Sequence, residues 1–209
     1  AEVRIRRRAR RAGTSTIEAP LAPEFNQSPI PVRDRAEAEG LAHQIRALAS
    51  SMGTVTLPAL FVPTALEPDL SLTLNLFPRA LLPVLVNEAG AALGGPRWGR
   101  WEEGQALVTP GRPPAQPTGS VLGPGALSNA DLILVPALAA GLDGARLGQG
   151  GGWYDRALPH RRSTAPVVAV VFDDEVLPPG TIPLEPHDAH IDAIITPTRT
   201  IHMQRLSPA

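Results

Sequence analysis

Residues 146–156, RLGQGGGWYDR, gather groups suited to holding a polyphosphate. Glycines at 148, 150, 151 and 152 let bare backbone N–H groups approach an anion without interference from side chains. A helix beginning where the loop ends would add its own unpaired N–H groups and its dipole to the same spot. Arg146 precedes the glycines as a fixed cation, and Asp155 follows them as an oxygen donor for the metal that accompanies a polyphosphate. The unit is not a Walker A loop, because it has no Gly-Lys-Ser/Thr and the chain contains no lysine. Nor is it a GxGxxG fingerprint: the glycines are too closely packed and no acidic residue follows at the required distance. A run of glycines alone is equally compatible with a plain flexible turn. Arg146 before it and Trp153-Tyr154-Asp155-Arg156 after it favour a nucleotide loop.

Other clusters read less sharply. His187, Asp188, His190 and Asp192 form an H-D-x-H-x-D pattern, and in a strand positions 188, 190 and 192 would share one face. That pattern is compatible with an imidazole–carboxylate metal site and also with a structural turn pair. Trp153 and Tyr154 suit either the core at a helix start or a surface for a flat ring. Glu67 suits either a turn acid or an acceptor for a bound ligand. Trp98, Arg100 and Trp101 either close a pocket or pack inside. Arg4, Arg6, Arg7, Arg8, Arg10 and Arg11 read as a solvated helix or as an anion-binding arm. An RNA-binding arm would need interleaved aromatic or polar partners that are missing.

The stretch RLGQGGGWYDRAL at 146–158 and the segment PLEPHDAHIDAIIT at 183–196 carry a resemblance that reaches further back. It includes TLPALFVP at 56–63, Glu67-Pro68 and LLPVLV at 81–86, in the same order. Over roughly residues 54–197 the chain resembles the 5-formyltetrahydrofolate cyclo-ligases, also called methenyltetrahydrofolate synthetases. The resemblance implies ATP-dependent conversion of 5-formyltetrahydrofolate to 5,10-methenyltetrahydrofolate with release of ADP and phosphate. It implies ATP at Arg6, Arg146, Leu147, Gly148, Gln149, Gly150, Gly151, Gly152, Trp153 and Tyr154. It implies the folate at Val62, Glu67, Trp153 and Tyr154, and Mg2+ at Asp155 and Asp192. Two positions depart from the family pattern: Gln149 stands where a basic residue is usual, and Glu2 at the lysine of an N-terminal K-x-x-L-R pattern. These departures keep a second reading open, a non-catalytic member that binds folate or nucleotide or serves in an assembly.

The elements that must position these residues are legible in outline. At 209 residues the chain has single-domain length, read as one cyclo-ligase-like domain over 1–209 with an Arg-rich segment at 1–11. A hydrophobic share of 43% and a net charge of −1 describe an ordinary globular protein and argue against general nucleic-acid binding. No cysteine is present, which excludes disulfides, thiolate zinc sites and a Cys nucleophile, and makes the cytoplasm the expected compartment. No membrane-length apolar run occurs, and nothing in the composition bears on oligomeric state.

Leu41, Ile45 and Leu48 predict a helix over 34–52, with Asp34 as N-cap and Gly53 as stop. Apolar runs predict strands at 54–62, 80–86, 131–136, 166–172 and 191–196. Residues 69–77 alternate like a strand, but the family pattern and the need for a crossover predict a helix there. Residues 12–32 read as loop, and 94–120 as a hairpin with an irregular excursion. The predicted fold is α/β: three-layer, mainly parallel central sheet with helices on both faces. In such a sheet ligands collect beyond the carboxyl ends of the strands, where Glu67, the glycine loop and the HDAHID segment are expected to meet.

Overall fold

The computed structural model describes residues 2–13, 30–111, 114–185 and 188–203; most of the expected 12–32 loop and His187 lie outside them. Helix α1 spans Glu2–Gly13 and α2 spans Arg35–Ser51. The Asp34 side chain accepts from the Glu37 N–H at 3.1 Å, which is the predicted cap. Leu41, Ile45 and Leu48 recur at helical spacing and are buried. Gly53 follows at φ +87°, a conformation glycine adopts without penalty, and the helix ends there.

Seven strands form the main sheet: β1 (Pro58–Ala59), β2 (Arg79–Pro83), β3 (Trp98–Glu102), β6 (Leu132–Pro136), β9 (Val167–Val170), β11 (Ala193–Ile195) and β12 (Thr200–His202). Their spatial order is β12-β11-β9-β6-β1-β2-β3. The five inner strands pair in parallel, and β3 and β12 close the edges antiparallel. Two small sheets complete the set. One is the β4 (Leu107–Val108) and β5 (Gln116–Pro117) pair; the other orders β10 (Val176–Leu177), β7 (Ala139–Gly141) and β8 (Arg146–Leu147).

The parallel strands are covered on both faces, so side chains alternate between two cores rather than between core and water. In β6, Leu132 and Leu134 join the core under α2, while Ile133 and Val135 join the opposite core. Val168 and Val170 of β9 face the first core, and Val167 and Ala169 the second. Full burial of each such aliphatic side chain stabilises by about 1.5–3 kcal/mol. On the first face Gly40 of α2 meets the chain after β11; a Cβ there would stand 2.3 Å from the Pro197 carbonyl oxygen. The second face is covered by the 3-10 turn at Pro124–Asn129, by α3 (Trp153–Ala157) with the turn Leu158–His160, and by β7. The three-layer expectation therefore holds, with short turns and a small sheet supplying most of one helical layer.

Several element boundaries differ from the expectation. The strand at 54–62 is regular only over Pro58–Ala59, and it opens with a proline, which has no N–H to donate. The crossover at 69–77 holds a single 3-10 turn, Leu74–Leu76, rather than a strand or a full helix. Trp98 and Trp101 are both core residues, 0% and 1% exposed, which settles the choice between closing a pocket and packing.

Helix α1 is docked, not solvated along its length. Arg7 is 1% exposed, donates from Nε and Nη2 to the Glu175 carboxylate at 2.6 Å, and donates to the Ala137 carbonyl at 2.7 Å. Arg10 lies over the Phe172 ring, 3.7 Å from its centroid, and pairs with Asp174 at 2.7 Å.

Candidate functional site

The inner strands run in the order 2-1-3-4-5, so the chain leaves β1 toward β2 on one side and later returns to β6 on the other. Beyond the carboxyl ends at such a switch point neighbouring loops turn apart and leave a crevice. A cavity of about 450 Å³ lies there. Phe61 and Val62 follow β1 into its wall, Pro83 and Leu85 come from the end of β2, and Pro136 from the end of β6. The predicted chemistry stands on the same wall: Glu67, Arg146, Gly148, Gln149, Gly150, Gly151, Gly152, Trp153, Tyr154 and Asp155 all line it.

The glycine loop leaves β8 and ends at α3. Gly150 has φ +89° and Gly152 φ +60°, so both need glycine's backbone freedom. A Cβ added at Gly150 or Gly151 would meet no protein atom within 4 Å. At Gly151, therefore, the missing side chain leaves room for something other than protein. The Arg146 side chain is 7% exposed and pairs with Asp155, whose carboxylate is 41% exposed.

Glu67 sits in the Thr64–Glu67 turn and is 5% exposed. Its Oε2 accepts from the Thr64 N–H at 2.7 Å and the Thr64 hydroxyl at 2.8 Å, which locks the rotamer. Its Oε1 accepts from the Gln149 amide at 2.9 Å. The turn is anchored from behind by Arg11, which donates to the Glu67 carbonyl at 2.7 Å and the Ala65 carbonyl at 3.0 Å, and by Arg33 at 3.3 Å. Arg11 is oriented in turn by Glu37, through contacts at 3.0 and 3.1 Å. Thr64, Arg11, Arg33 and the Gln149–Glu67 contact went unread in the sequence; only Thr64, three residues before Glu67, left a local signal, as an ST-type turn.

Trp153 packs edge-on against Trp98 at 5.0 Å and against Tyr154 at 4.8 Å, so the aromatic pair is half core and half cavity wall. The Tyr154 hydroxyl is buried without a hydrogen-bond partner, as are Trp153 Nε1 and Arg146 Nε. All three atoms belong to residues of the cavity wall but are themselves buried, and each unmet donor costs on the order of 1–3 kcal/mol. Burial, reinforced by the Glu67 carboxylate, pushes the Tyr154 phenol well above its ordinary range, and Arg146 opposes the shift. The hydroxyl is thus a neutral donor at any working pH.

Three expected site residues are placed elsewhere. Asp192 precedes β11, at the amino edge of the sheet, and its Oδ2 accepts from the Val167 N–H at the start of β9 at 2.9 Å. It is absent from the cavity wall, so the structure does not bring it to Asp155. Residues 188–192 of the HDAHID segment enter the strand from that far edge. Arg6 pairs with Glu2 on the exposed side of α1; Arg4 is the α1 cation that reaches the glycine loop, donating to the Gln149 carbonyl at 3.3 Å. Leu147 is 42% exposed on β8 and does not line the cavity.

No group of three or more His, Asp or Glu residues suited to hold a metal occurs among the described residues. Magnesium carried on a polyphosphate needs only one or two protein carboxylates beside phosphate oxygens and water, and the half-exposed Asp155 meets that demand.

The model of the 5-formyltetrahydrofolate cyclo-ligase family matches residues 45–197. A 5-formyltetrahydrofolate cyclo-ligase of Mycolicibacterium smegmatis is 39% identical over 191 residues, covering 90% of this chain and 95% of that protein. The mitochondrial 5-formyltetrahydrofolate cyclo-ligase of Arabidopsis thaliana is 37% identical over 79 residues, 34% of this chain and 28% of that protein. Among solved structures, 5,10-methenyltetrahydrofolate synthetase of Aquifex aeolicus shares the fold at a TM-score of 0.65 and 20% identity, with 100% of this chain and 94% of that chain covered.

Proposed function

The chain belongs to the 5-formyltetrahydrofolate cyclo-ligase family, and on that premise we propose that it converts 5-formyltetrahydrofolate and ATP to 5,10-methenyltetrahydrofolate, ADP and phosphate. The observation that carries the reading is the shared wall: Glu67 and the Gly148–Gly152 loop face one cavity, as a reaction between a pterin and a polyphosphate requires. In the reaction the formyl oxygen attacks the γ-phosphorus and ADP departs. N10 then closes onto the activated formyl carbon and gives up its proton, and phosphate leaves with that oxygen.

The step needs no protein nucleophile, so catalysis falls to placement and to neutralising developing charge. The Gly150–Gly152 N–H groups and Arg146 receive the phosphates. Arg146 exchanges its Asp155 partner for phosphate oxygens, which frees the Asp155 carboxylate. Mg2+ would be held by Asp155 with the nucleotide, where it supplies charge compensation for the polyphosphate. Glu67 takes the donors of the pterin ring, while Tyr154 and Trp153 offer a flat wall. No described helix is long and apolar enough to cross a membrane, and we place the protein in the cytoplasm as one domain acting on small molecules.

The test is the absorbance of methenyltetrahydrofolate formed by purified protein from 5-formyltetrahydrofolate. It should appear only with ATP present, and Glu67→Gln should slow it at subsaturating folate. Product formation at equal rates without ATP, or no product under any condition, would refute the assignment.

A further inference from the structure

Glu67 has one oxygen to spare. Oε2 is saturated by the two Thr64 donors, so a bound pterin must use Oε1. That oxygen has two acceptor sites and the Gln149 amide takes one of them at 2.9 Å, so a pterin that brings both its ring amine and its ring N–H must displace the amide. Gln149 belongs to the glycine loop, between Gly148 and Gly150, and its own carbonyl is tied to Arg4. Its side chain thus reaches from the phosphate side of the cavity to the folate side and occupies the acceptor that the substrate requires.

Resting on the assignment of Glu67 to the pterin, we propose that Gln149 is an internal competitor for that carboxylate. It latches the glycine loop to the folate site until substrate displaces it. The amide mimics the pterin's N–H donors, so a molecule enters only if it can offer Glu67 equivalent donors. Displacement frees the loop that receives the phosphates, so the folate site and the nucleotide loop open together. A basic residue at this position would hold Glu67 by an ion pair, a tighter tie than the neutral amide makes and a harder one for substrate to displace.

The test compares wild type with Gln149→Met, which keeps the side chain's length and removes its donor. Calorimetric titration with 5-formyltetrahydrofolate should give a roughly ten- to hundredfold lower Kd for Gln149→Met, the span of one lost hydrogen bond to a charged acceptor. Hydrogen exchange gives a readout that needs no folate: the Gly150–Gly152 amides should exchange faster in free Gln149→Met than in free wild type. On folate binding they should speed up in wild type alone. An unchanged or higher Kd, or equal exchange in the two free proteins, would overturn the latch. If folate binds wild type and Glu67→Gln equally well, the pterin role of Glu67 fails, and the competition with it. If folate binds none of these proteins while exchange still differs, the latch contact stands as a structural tie and the folate reading is what falls.

Discussion

At the scale of single residues, Arg146 and Glu67 stand on the wall of one cavity, each tied to a neighbouring side chain, Asp155 for the first and Gln149 for the second. The glycine loop, Arg146, Trp153, Tyr154 and Asp155 are consecutive in sequence, and all of them reach one cavity. Glu67 follows an apolar run, and the carboxyl ends of strands are where such a sheet binds ligands, but its pairing with the folate came from the family resemblance. Asp192 was misplaced for the complementary reason. Its motif gives a position in the chain but not an edge of the sheet, and a residue entering a parallel strand stands at the far end from one leaving it. The contact from Gln149 to Glu67 spans 82 residues, and nothing local announces it. Arg146 carries the residue-scale prediction. Arg146→Gln removes the charge proposed to meet the phosphates but leaves the Thr64–Glu67 turn intact, so KM for ATP should rise roughly tenfold or more while KM for folate stays near its original value. Parallel losses in both would contradict the division of the cavity, and initial-rate kinetics with each substrate varied decides it.

At the scale of elements, apolar runs located all five parallel strands, because burial on both faces demands them. Polar and short elements escaped. The β7–β8 hairpin has few large apolar residues, and at 69–77 a period-two pattern was buried on a 3-10 turn, where Leu70, Leu72 and Leu74 serve as core without a strand ladder. Asp143 shows what holds the hairpin tip. Its Oδ2 accepts from the Gly180 N–H at 2.6 Å and its Oδ1 from the Ala145 N–H at 3.2 Å. The Gly180 N–H is the main cause that holds the Asp143 carboxyl below its ordinary value of 3.8. A carboxyl whose pKa is lowered by folding adds stability above its unfolded pKa and loses it as pH falls through the folded one. The group is exposed, so the effect is small, within about 1 kcal/mol. Asp143→Asn should lower Tm slightly at pH 7, and the difference should shrink as pH falls below 3.8, as thermal melts in a pH series would show. A pH-independent difference would assign the effect to something other than the carboxylate's charge.

At the scale of the whole molecule, α1 is the strap that joins regions distant in the chain. Arg4 reaches the glycine loop, Arg7 the Glu175 turn and the end of β6, and Arg11 the back of the Glu67 turn. Sequence showed a cluster of arginines but not which ones turn inward, because one charge type on every face hides the amphipathic pattern. Burial separates them sharply: the Arg7–Glu175 pair is 2% and 3% exposed, the Arg6–Glu2 pair 52% and 77%. Removing one partner of a buried pair strands the other, at about 3–5 kcal/mol, whereas a fully exposed pair is screened by water and contributes little. Arg7→Met should therefore reduce urea stability and raise hydrogen exchange in α1, while Arg6→Met should leave both near wild type. Equal effects of the two substitutions would contradict the docked strap.

The central claim is that one cavity couples phosphoryl transfer to closure of a folate ring. The most direct measurement is the stoichiometry of wild-type turnover, with ADP and methenyltetrahydrofolate quantified in the same reaction. One ADP is expected for each methenyltetrahydrofolate formed, and neither product when either substrate is withheld. ADP released without folate conversion, or folate bound at Glu67 and never converted, would contradict it and leave a binding protein in its place.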